Sequence, residues 1–167
     1  MLPPTKWGGC TLLSNQFLRT AEARLKRPIE CTEADLRRAT SDLYYAMFHR
    51  ACEALVEPIG ADPDNVAFLE TYRTLYRLPD HNYLEKRCRE VKDHAFSNSI
   101  GNFSRHVIVL KNKRQDADYD PLTKFAISAV ENDLTQTRAA LQGFNETDAV
   151  ERARFAYFVS LRGRKLD

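Results

Sequence analysis

Glycine is scarce in this chain, with six in 167 residues. Sandwiches and barrels need many tight turns, so the shortage argues against an all-β architecture. Charge of one sign is also lacking. A formal net charge of +2 gives none of the overall field that histone-like or DNA-coating proteins use, so any nucleic-acid contact must come from a local patch. No apolar run reaches the length of a signal peptide or a membrane span. The expectation is a protein of the reducing cytoplasm that does not engage a membrane. The cysteines Cys10, Cys31, Cys52 and Cys88 include no CxxC pair, and no histidine stands beside them at ligand spacing. No zinc or other metal is expected, nor any cofactor, and the four read as small buried or surface thiols. There is no repeat, no low-complexity tract, no period-two strand and no linker long enough to divide the chain.

What remains is helical periodicity over a length suited to one domain. Residues 1–10 read as an irregular arm that Trp7 can anchor. A helix from about Thr11 to Lys26 is predicted from Leu13, Phe17, Ala21 and Leu25, which share a face, and Pro28 stops it. Thr32, with Asp35 three residues on, caps a helix that runs to about Val56. Its inward stripe is Leu36, Ala39, Leu43, Met47 and Leu55. Tyr44, Tyr45 and Phe48 make it apolar on further sides, which marks it as the central helix. Asp62 to Asp64 open a shorter helix that Pro79-Asp80 breaks, and another spans Tyr83 to about His94. Ser97 to Asn102 reads as a polar turn. A helix carrying Phe103, Val107 and Leu110 follows, toward Arg114. Asp120 and Pro121 read as a helix restart, with apolar positions Leu122, Ala126, Val130 and Leu141 leading to Phe144. Asn145 can cap a last helix that ends near Arg162, before a basic tail at 163–167. The expected fold is all-α: an antiparallel bundle of four to five helices with short accessory helices, forming one domain over 11–162.

Two segments carry a likeness. One holds Ser41, Tyr44, Tyr45 and Ala46 within the stretch Arg38 to His49; the other holds Arg114, Ala117, Asp118 and Tyr119, followed by Pro121. A Ser-x-x-Tyr-Tyr-Ala helix followed downstream by Arg-x-x-Ala-Asp-Tyr resembles the small HEPN proteins, over roughly Thr32 to Phe144. The resemblance implies a helical bundle that dimerises and associates with RNA or nucleotides. It also implies a place in a toxin–antitoxin or antiphage module, where many members are metal-independent ribonucleases with an Arg-x(4–6)-His motif. Others in the family are non-catalytic modules that bind a partner such as a nucleotidyltransferase, and that is the alternative expectation here.

This chain departs from the catalytic pattern. Tyr119 stands where a histidine can occur, and a phenol of pKa near ~10 is poorly suited to proton exchange at neutral pH. Tyr119 can instead order a ligand or accept a nucleotidyl group; in the family's modified toxins, however, the target tyrosine lies where Pro121 stands. Arg114 continues the inward row of Phe103, Val107 and Leu110, so its charge has to be paired or line a cavity. A phosphate clamp and a structural ion pair with Asp118 are both open. Ser41, Tyr45, His49 and Cys52 form a polar-aromatic strip on the central helix. His49 is the reserve acid/base candidate there, its plainer reading being a hydrogen-bonded, half-buried histidine. Lys111 and Lys113 extend the candidate RNA-binding patch, though cations near a helix C-terminus also complement its dipole. Arg89 with His94 satisfies the bare Arg–His spacing one helix too early, in a charged stretch that also suits a solvated face.

Overall fold

The longest helix begins at a capping box. Thr32 Oγ1 accepts the Asp35 N–H at 3.2 Å, and the Asp35 carboxylate accepts the Thr32 N–H at 3.1 Å. Such a reciprocal cap satisfies donors that a helix start otherwise leaves unpaired. The computed structural model describes residues 12–26, 30–60 and 66–162. Trp7 and the N-terminal arm, Cys10, Pro28, Asp62 to Asp64 and the tail residues Arg164 and Lys165 lie outside that description. In chain order the helices are α1 (Leu13–Leu25), α2 (Glu33–Val56), α3 (Val66–Tyr76), α4 (His81–Glu90), α5 (Asn98–Tyr119), α6 (Ile127–Glu146) and α7 (Ala149–Ser160), with 3-10 turns at Glu57–Ile59 and Val91–Asp93. The fold is all-α, and the described residues contain no strand.

The stripe expected on α2, Leu36, Ala39, Leu43, Met47 and Leu55, is buried, and Tyr44 is buried beside it. α2 packs against α1, α3, α5, α6 and α7, as its apolar girth requires. Side-chain pairs set the directions. Ser14 meets Glu53 while Arg24 meets Asp42, so α1 runs opposite to α2. Tyr45 meets Arg114 and Ser41 meets Asp118, so α5 also opposes α2. Phe103 packs on Phe144 while Lys113 pairs with Asp133, so α6 opposes α5. These four helices form an antiparallel bundle. α4 lies against α5 and α7, and α3 rests on α2. The aromatic centre is Phe103, Phe144 and Phe155, with ring centroids 4.2 to 5.7 Å apart. Each such ring contributes about 1.5–3 kcal/mol by leaving water.

Three local expectations are corrected. Ser97 to Asn102 is no turn: Ser97 caps α5, which starts at Asn98, because Ile100 and Phe103 are drawn fully into the core. Asp148, not Asn145, caps α7, and the Asn145 side chain instead accepts from Arg50 Nε at 2.6 Å. Asp120 and Pro121 begin a turn rather than a helix. α5 runs on to Tyr119, α6 starts only at Ile127, and Leu122 is 86% exposed. The cause is Arg37. Its guanidinium donates to the carbonyls of Ala117 at 2.9 Å, Asp120 at 3.0 Å and Thr123 at 2.5 Å. It thereby takes up carbonyls at the end of α5 and holds the next residues in an open turn. Glu33, at the head of α2, accepts the Phe125 N–H at 3.3 Å from the other side of that turn.

Candidate functional site

The inward row of α5 leaves the core at Arg114. Phe103, Val107 and Leu110 have no exposed surface, whereas the Arg114 side chain retains 17%. Its guanidinium meets the two groups that the helix register delivers. Asp118, one turn on, places Oδ2 2.7 Å from Nε. The contact is ionic rather than a hydrogen bond, since the Nε–H is not directed at a partner. From α2, Tyr45 Oη accepts from Nη2 at 3.1 Å. Ser41, one turn earlier on α2, donates to Asp118 Oδ1 at 2.7 Å and fixes the carboxylate. Nη1 is engaged by neither Asp118 nor Tyr45. The guanidinium carbon lies 5.5 Å from the centre of the Tyr45 ring and 5.7 Å from that of Tyr119, within cation–π range. Burial works against the arginine's charge, but Tyr45, Asp118, Tyr119 and Tyr44 outweigh it and hold the guanidinium more firmly protonated. Tyr119 is 74% exposed, so it forms the rim of the cluster and not its floor.

Ser41, Tyr45, Arg114, Asp118 and Tyr119, expected from two distant segments, therefore stand together. The ion pair with Asp118 exists, and it leaves the guanidinium partly open. His49 also borders the cluster, its ring centre 6.4 Å from that of Tyr45, but its polar contact is elsewhere. Its Nδ1 lies 2.8 Å from Tyr76 Oη, and its ring stacks on Phe17 at 5.1 Å and 2°. Burial, with a smaller push from His81, brings its pKa down to about 4, so it is neutral at pH 7.

Lys111 and Lys113 leave the cluster on opposite sides of α5. Lys111 is 4% exposed, donates to Asn82 Oδ1 at 2.8 Å and forms an ion pair with Glu85. Lys113 pairs with Asp133 at 2.6 Å. Lys111 is spent inside the bundle, whereas Lys113, with its side chain 39% exposed, is held by Asp133 at the surface. Arg89 pairs with Glu85 across one turn of α4, and His94 sets its ring edge against Phe158 at 4.6 Å. Neighbouring Arg87 covers Phe158 at 3.6 Å and pairs with Glu90. This region belongs to the α4–α7 contact rather than to the Arg114 cluster. Cys31 is half-buried and Cys52 and Cys88 are buried, all three as free thiols. Among the described residues no His, Cys, Asp and Glu side chains are grouped in threes to hold a metal ion.

One residue escaped the sequence reading. His81, the first residue of α4, lies against the cluster from a third helix. Its ring centre is 6.2 Å from that of Tyr45 and 4.0 Å from that of Phe48, and its Nδ1 is 2.7 Å from Tyr44 Oη. Burial lowers its pKa, and the positive charge of Arg114 lowers it further. No local signal marks it, because its partners stand on α2 far away in sequence. The arrangement as a whole can present a guanidinium, a neutral imidazole and an exposed aromatic ring to an anionic ligand bearing a base. No family model, characterised protein or solved structure matches the chain. Among the described residues no helix is long and apolar enough to cross a membrane.

Proposed function

We propose that this chain is a cytoplasmic HEPN-type protein of a toxin–antitoxin or antiphage module, and that Arg114 binds a phosphate of RNA or of a nucleotide. One observation carries the reading. Ser41 and Tyr45 from the first resembling segment and Arg114 and Asp118 from the second, 69 to 77 positions apart, are joined by direct contacts. In this reading Arg114 stabilises negative charge on a phosphate or phosphorane, and exposed Tyr119 stacks on or orders a base. A homodimer would set two such sites across one cleft, and metal-independent RNA cleavage is the activity proposed for it. A second reading is a non-catalytic module that binds a partner such as a nucleotidyltransferase. It is favoured by Asp118 already offsetting the arginine and by tyrosine standing in place of the motif histidine.

The test is cleavage of total and transfer RNA by the purified chain in EDTA, beside Arg114→Ala. Cleavage that survives chelation and disappears in the variant supports the nuclease. Intact RNA with both proteins folded removes the enzyme reading and leaves the partner-binding module.

A further inference from the structure

The Arg114 cluster needs a second donor if it is to hold an oxyanion, because one guanidinium edge already faces Asp118. Three charged side chains near it are committed. Asp118 is held by Ser41 and Arg114. Asp80 caps α4 by accepting the N–H groups of Asn82 and Tyr83. Lys111 is bound to Asn82 and Glu85. His81 packs on Tyr45 beside Arg114, and the position of its proton follows from Tyr44. Tyr44 has no exposed surface, and its hydroxyl lies 2.7 Å from His81 Nδ1. If the imidazole donated, the phenolic hydrogen would be stranded without water, at a cost of about 1–3 kcal/mol. Burial also raises the phenol's pKa, so it keeps that hydrogen. Tyr44 therefore donates, Nδ1 accepts, and the neutral ring carries its hydrogen on Nε2. Burial, Arg114 and Lys111 oppose protonation of the ring and together outweigh Asp80, which favours it. Phe48 under the ring and Tyr45 at its edge fix its plane, and Tyr45 is also the wall on which Arg114 rests.

We propose that His81 is the second anion-binding residue of this site, donating Nε2–H to a phosphate oxyanion held by Arg114, with Tyr44 as the positioning residue that sets its tautomer. The inference rests on the reading of Arg114 as a phosphate site. It assigns a role to a histidine outside both resembling segments.

The full chain, labelled with nitrogen-15, tests it by two-bond proton–nitrogen correlation of the histidine rings, followed by titration with inorganic phosphate. The expected results are an Nε2–H tautomer for His81, movement of its Nε2 and of Arg114 Nε on adding phosphate, and affinity about tenfold weaker in His81→Asn, the loss of one charge-assisted hydrogen bond. Tyr44→Phe, which keeps the ring, should release the tautomer preference and weaken phosphate binding in parallel. An Nδ1–H tautomer in the unaltered chain overturns the proposal. So does phosphate that moves Arg114 but not His81, an outcome that leaves the Arg114 reading standing. Phosphate that moves neither overturns both. Phosphate bound at both residues without RNA cleavage upholds this inference and removes only the nuclease.

Discussion

Replacing Arg37 with alanine should loosen the end of α5, which carries Asp118 and Tyr119, and the turn that follows it. The guanidinium donates to the main-chain carbonyls of Ala117, Asp120 and Thr123, and more weakly, at 3.4 Å, to that of Asp116, which also accepts the Asp120 N–H and so is not left unpaired when Arg37 is lost. Bonds from a charged donor contribute about 1.5–3 kcal/mol each when well shielded. Here the side chain is 19% exposed and water can reach some of the freed carbonyls, so about 1 kcal/mol each is the fitting scale, or about 3 kcal/mol together. The ion pair with Glu33, at 3.2 Å across one helical turn, adds only a few tenths, roughly. For a chain of this length about 3 kcal/mol corresponds to a fall in melting temperature of about 6–12 °C. Arg37→Lys should recover part of this, because one ammonium cannot span all three carbonyls. Thermal unfolding by circular dichroism gives the magnitude, and amide exchange across residues 117–126 gives the location. A melting temperature within about 3 °C of the unaltered protein, or unchanged exchange in that segment, would refute the argument that Arg37 dictates where α5 ends and α6 begins.

Other outcomes follow from the same contacts. His49 has a folded-state pKa of about 4, below its unfolded value, so the unfolded chain binds more protons between roughly pH 4 and 6.5. Its contribution is present above that window and lost as the pH falls through it. His49→Gln should therefore flatten the acid limb of a denaturation series, whereas buried Asp42 and Glu53, whose pKa values are raised by burial, act with the opposite sign in both proteins. Lys111→Ala should cost about 2 kcal/mol in urea unfolding by stranding part of Glu85, which keeps Arg89, and should leave the salt dependence of any RNA binding unchanged. A reduced salt slope would return Lys111 to the binding surface. Phe103→Ala, at the aromatic centre, should lose about 3–5 kcal/mol by the same measurement; a loss below about 1 kcal/mol would mean that the Phe144 and Phe155 rings close the gap.

The legible parts of this molecule are those whose cause lies within a few residues. Thr32 and Asp35 form their cap, and the spacing of Leu36, Leu43 and Met47 places α2 at the centre, because helical periodicity and capping are local. Arg114 was legible as an inward arginine for the same reason, and its partner Asp118 lies one turn away. Where prediction failed, a distant residue decided the matter. Asp120-Pro121 carries a sound local signal for a helix start, overridden by an arginine on another helix. Asn98, Gly101 and Asn102 look like a turn, yet Ile100 and Phe103 gain more from burial than those residues lose by being helical. Lys111 looked like a surface cation, and nothing near it in sequence announces Glu85. His81 was invisible because its meaning comes from Tyr44, Tyr45 and Arg114 together.

The girth of α2 also governs how the chain can be made. Its neighbours include α6 and α7, which leave the ribosome well after it, and Arg50 near its C-terminal end waits for Asn145 and Phe144. During synthesis a helix of 24 residues therefore stays without much of its covering until α7 has emerged. A nascent chain halted after Tyr119 should be cut within α2 by added protease, while one released after Ser160 should resist. In this protein the central helix is made before the helices that cover it, and the interval between the two is when its apolar faces stand open to water.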